Sequence, residues 1–111
     1  MGTTKSILFT DQQNKLAAMA KAIAHPARIA ILEHIIRSNT CINNELVKEL
    51  GLAQATVSQH LNALKDVGII QGSVEGKAMC YCINDKEWEF IKNQLNQFFN
   101  QPISCKSDDC C

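Results

Sequence analysis

Two short helices broken at a glycine, with an alternating stretch directly after them, constrain this chain more than any other feature. The segment ELVKEL has the length of a short helix, Asn43 and Asn44 can cap its start, and Gly51 can stop it by adopting positive φ. After the turn GLAQ, the residues Val57, Leu61 and Leu64 recur at i, i+4 and i+7 from Gln54 to about Asp66. Gln54, Thr56, Ser58, Gln59, His60 and Asn62 occupy the other faces of that helix, and Gly68 ends it. Residues 69–84 then alternate loosely, with Ile70 and Val74 before Glu75-Gly76 and with Met79, Tyr81 and Ile83 after it. That pattern predicts a hairpin.

The flanks are helical. Leu16, Met19, Ala20 and Ile23 are spaced for an amphipathic helix over residues 11–24, with Asp11 as its N-cap. A second helix starts at Pro26, whose fixed φ suits a first turn, and runs through Ile29, Ile31, Leu32, Ile35 and Ile36 toward Ser38. Being apolar on more than half of its circumference, it is expected at the centre of the fold. A last helix begins with Asn84 and Glu87 in a capping-box spacing, carries Trp88, Ile91, Leu95 and Phe98 or Phe99 on its apolar side, and closes at Pro102. The predicted fold is mainly α with a small β-hairpin. Residues 1–10 form an N-terminal arm, 11–101 one domain, and 102–111 a cysteine-rich tail.

At 111 residues and 46% hydrophobic, the chain has the size and composition of a single folded domain. The start MGTTKSILFTDQQ carries no export signal and no stretch is apolar enough to span a membrane, so a cytoplasmic protein is expected. Formal net charge is zero, so a nucleic-acid partner has to be argued from local arrangement.

Helix, glycine turn, helix and hairpin in this order form the winged helix-turn-helix layout, whose second helix enters the major groove. Short amide and hydroxyl side chains suit that helix, because they pair with base edges while the helix N-terminus favours phosphate. The polar face of a single amphipathic helix is ordinarily just solvated. The hairpin behind it is what turns Gln54, Thr56, Ser58, Gln59 and His60 into candidate DNA contacts.

LAAMAKAIAHPARIAIL, ELVKELGLAQATVSQHLNALKDVGII and VEGKAMCYCI together resemble the ArsR/SmtB family of metalloregulatory repressors over about residues 11 to 100. The resemblance implies that Gln54, Thr56, Ser58, Gln59 and His60 lie at the groove and that Lys77 on the wing approaches the backbone or minor groove. It implies that Arg28 supports the core or the DNA face, and that a homodimer forms through the first and last helices. The family's His at the position of His60 either contacts phosphate or ties the reading helix to its neighbour; His25 and His34 are assigned no chemistry. Ala53 and Ala55 stand where the family often has serines, which removes a helix cap and a phosphate donor.

The sensed species has to be argued from the side chains present. The resemblance implies that a zinc site on the last helix would take acidic and histidine ligands, and residues 84–101 contain no histidine. The resemblance implies a cysteine pair for a thiolate site on the third helix, but Cys41 stands alone, with Ile42 and Asn44 where the family's cysteines align. Cys105, Cys110 and Cys111 crowd the last seven residues, and three thiolates suit a soft, three-coordinate species such as arsenite or antimonite. A bare tail without function is the rival, but three such thiols in a reducing compartment argue for use. Cys80 and Cys82, two apart on a strand, project to one face and form either a redox pair, two ligands or ordinary core residues.

The expected function is therefore a DNA-binding repressor released from its operator by a soft metalloid, with no permanent cofactor. The alternative is a redox- or persulfide-responsive repressor on the same scaffold. An enzyme is not expected, since no cysteine has an evident His partner.

Overall fold

The computed structural model describes residues 7–38, 45–75 and 78–104. The elements are α1 (Asp11–Ile23), α2 (Pro26–Ser38), α3 (Glu45–Leu50), α4 (Gln54–Asp66), β1 (Ile70–Glu75), β2 (Ala78–Ile83) and α5 (Asp85–Phe99). β1 and β2 pair antiparallel, from Ile70 opposite Ile83 to Glu75 opposite Ala78. The Asn43 and Asn44 cap, the turn at Gly76 and the side chains of Val74 and Met79 lie outside the described residues.

α1 is capped by Thr10, not Asp11. The Thr10 hydroxyl oxygen accepts from the Gln13 N–H at 3.0 Å, and the Gln13 amide oxygen accepts from the Thr10 N–H at 2.9 Å. Thr-x-x-Gln closes this reciprocal pair, whereas the residue three after Asp11 is Asn14, one methylene shorter than the Glu or Gln the box requires. Asp11 falls in the first turn, where its charge meets the positive helix end. At α5 the box is half closed, because Asn84 Oδ1 accepts from the Glu87 N–H at 3.4 Å while the Glu87 carboxylate turns to Lys15 Nζ at 3.0 Å. That ion pair ties α5 to α1, and the same ammonium lies 4.1 Å from the centre of the Phe90 ring. α5 ends at Phe99 with Asn100 as its C-cap, two residues before Pro102.

One core joins every element. Met19 from α1, Ile31, Leu32 and Ile35 from α2, Leu46 from α3, and Val57, Leu61 and Leu64 from α4 pack with Ile69, Ile70, Tyr81 and Ile91. Full burial of side chains of this size contributes about 1.5 to 3 kcal/mol each, which makes the single stripe of α4 its anchor. α2 is central by its inner stripe only: Ile29 and Ile36, seven residues apart and so on the same side, are 44% and 49% exposed. Phe98 and Phe99 are also exposed, stacked edge to face at the end of α5, beyond the reach of this core.

Candidate nucleic-acid interface

The unit that presents α4 is built from backbone. Gly51 takes φ +69°, and its N–H closes on the Val47 carbonyl at 3.2 Å, ending α3 and turning the chain toward α4. Ala53 holds the N-cap position in extended conformation with no side-chain cap. Its carbonyl accepts from the Val57 N–H at 3.1 Å. Restoring the missing hydroxyl with Ala53→Ser is expected to stabilise the fold by about 1 kcal/mol, read by chemical denaturation. At the other end the Ile69 N–H bonds the Leu64 carbonyl, and the Asn84 N–H bonds the Ile69 carbonyl, so the foot of the hairpin is fixed to the end of α4.

With Val57, Leu61 and Leu64 fully buried, the rest of α4 faces away from the core. Gln54 and Gln59 are exposed, and Thr56, Ser58 and His60 are half-buried. These five predicted contacts thus share one helix held on the molecular surface; Lys77 lies outside the described residues.

His60 is less free than its position suggests. Arg28 Nε donates to His60 Nδ1 at 3.1 Å, and Arg28 Nη1 donates to the Ala22 carbonyl at 3.0 Å, so one guanidinium joins α4 to the end of α1. The His25 ring lies 4.5 Å from the His60 ring, and His25 Nδ1 accepts from the Ala27 N–H at 3.0 Å. Burial, then the charges of His25 and Arg28, lower the His60 pKa from the ordinary histidine value. His25, assigned no chemistry from the sequence, therefore belongs to this group. The signal was Pro26, which starts α2 and places His25 and Arg28 together at one helix end. His34 pairs with Glu49, joining α2 to α3.

Cys80 is disulfide-bonded, whereas Cys82 is a half-buried free thiol, so the two do not pair with each other. Residues two apart on an extended strand are separated by about 6.6 Å between Cα atoms, near the upper limit a disulfide spans. Cys41, Cys105, Cys110 and Cys111 lie outside the described residues. Among the described residues no three His, Cys, Asp or Glu side chains gather as a metal site, and no helix is long and apolar enough to cross a membrane.

A glycine-turned helix pair, an outward polar second helix and a hairpin fixed to its end define a winged helix-turn-helix regulator. The model for bacterial regulatory proteins of the arsR family matches residues 25–71. The transcriptional regulator MJ1325 of Methanocaldococcus jannaschii is 32% identical over 83 residues, covering 74% of this chain and 93% of that one. The chain belongs to the ArsR family, whose members are transcriptional regulators and not enzymes. The regulator Rv0081 of Mycobacterium tuberculosis is 36% identical over 67 residues, 60% of this chain, and the match spans 59% of that regulator's length. The solution structure of the homodimeric winged helix-turn-helix DNA-binding domain Mb0332 of Mycobacterium bovis has the same fold, with a TM-score of 0.60 at 21% identity over 96% of this chain and 95% of that one.

Proposed function

We propose that this chain is a dimeric repressor that reads operator DNA with α4 and leaves it when arsenite or antimonite binds Cys105, Cys110 and Cys111. The observation that carries the DNA reading is α4 itself, which buries one apolar stripe and keeps its amide and hydroxyl face accessible beside the wing. Dimerisation is supported by the apolar groups left exposed where α1 starts and α5 ends: Leu8, Phe9, Phe98, Phe99 and Ile103. A twofold partner covers such a surface and sets two reading helices at successive grooves of a partly palindromic site. Gln59→Ala is expected to relax base preference, by about 1 to 3 kcal/mol at the base it reads. Binding across a panel of operator variants measures this; unchanged discrimination would remove Gln59 from the readers.

The metalloid reading rests on donor chemistry, because three thiolates match a trigonal soft centre. The disulfide at Cys80 favours a second reading, in which oxidation of thiols replaces metalloid capture as the signal.

A further inference from the structure

His25 and Arg28 stand together at the start of α2 and meet His60 of α4, and their hydrogen bonds fix where the imidazole protons sit. An imidazole that accepts at Nδ1 is neutral and carries its proton on Nε2. His60 accepts at Nδ1 from Arg28, so it is held as that tautomer, and Arg28 is itself anchored to the last turn of α1 through the Ala22 carbonyl. Burial, the His25 ring that lies against it and the Arg28 charge all oppose a proton on His60. We propose that Arg28, His25 and His60 form an acid-sensitive latch that keeps α4 in its DNA-reading orientation only while His60 is neutral; this rests on the reading of α4 as the DNA-contacting helix.

Protonation places a hydrogen on Nδ1, where Arg28 already points an N–H. The acceptor disappears, two donors face each other, and two positive charges stand at hydrogen-bond distance. The folded protein therefore resists the proton more than the unfolded chain does, as the lowered His60 pKa expresses. The unfolded chain takes that proton at about pH 6.5 and the folded chain only at lower pH. The latch's stabilisation is complete above about pH 6.5, is lost as pH falls from there through the lowered folded value, and changes no further below it. α4 keeps its core stripe in acid but loses its tie to α1 and α2, and with it the fixed aim of its polar face.

His60→Asn tests this, because the Asn Oδ1 stands near the place of Nδ1, accepts from Arg28 and does not titrate. Operator affinity of the full chain is measured from pH 7.5 to 5.5 at constant ionic strength, beside ¹⁵N imidazole shifts of the DNA-free protein. The wild type is expected to lose about tenfold more affinity than His60→Asn over this range, whatever the variant's absolute affinity. Its His60 is expected to show the Nε2–H tautomer and a midpoint below 6.5, and Arg28→Ala is expected to raise that midpoint. Parallel pH profiles, a wild-type affinity that rises in acid through added charge near phosphate, or the Nδ1–H tautomer would each overturn the latch. If neither protein binds DNA at any pH, the reading of α4 fails, while the imidazole shifts of the free protein still decide the latch.

Discussion

Arsenite added to the operator complex is expected to weaken it about 5- to 150-fold, the range of an ordinary coupling between two sites. Replacing Cys105, Cys110 and Cys111 by Ser is expected to abolish that release and leave operator binding intact. The reason is mechanical proximity. α5 ends at Phe99, and the exposed Phe98, Phe99 and Ile103 offer the surface where a partner subunit would sit. A trithiolate centre that gathered the following residues would act on that same surface, and a changed dimer geometry would misalign two reading helices with successive grooves. The ion has only to bind the released state more tightly than the DNA-bound one. Operator affinity of wild type and the triple Ser variant, titrated with arsenite and in parallel with an oxidant, gives the answer. Release of the triple variant by arsenite would move the sensor away from the tail. Release by oxidant alone, lost in Cys80→Ser, would replace the metalloid by a redox signal.

The parts of this fold that repeat with helical period were legible in the sequence. α4 begins at Gln54 and ends at Asp66 as its spacing predicts, because Val57, Leu61 and Leu64 leave only one face to bury and the glycines at 51 and 68 admit no other ends. Features that depend on which of two competing partners wins were not legible. Asp11 and Thr10 are both good caps in isolation, and only the return bond from Gln13 decides between them. The apolar width of α2 exceeds what the core of this chain can cover, so its outer pair, Ile29 and Ile36, reads as core in the sequence and stands half-exposed in the fold. The His60 group was half legible. Its residue types stood out, but Arg28 and His60 are 32 positions apart, and no periodicity reports that their side chains meet.

Gly72→Ala is expected to cost about 2 to 5 kcal/mol of stability, combining backbone strain with overpacking. Gly72 holds φ +150°, on the side of backbone space that L residues rarely adopt, and it stands opposite Tyr81 in the hairpin. A Cβ there would lie far inside the van der Waals contact distance of the Cys80 carbonyl oxygen, with the Tyr81 Cα at 2.8 Å. These atoms are backbone, so no side chain can swing aside to make room. β2 has to move instead, and it carries Tyr81, which is only 4% exposed in the shared core. The hairpin and the core under α4 are therefore disturbed together. Gly51→Ala is the useful contrast: Gly51 also has positive φ, but a Cβ there meets nothing within 4 Å, so strain alone remains, about 1 to 2 kcal/mol. Thermal unfolding of both variants separates contact from strain, since each 1 kcal/mol moves the midpoint of a domain this size by about 4 to 8 °C. A Gly72→Ala protein that melts no lower than Gly51→Ala would mean that the two strands do not approach as closely as the register requires.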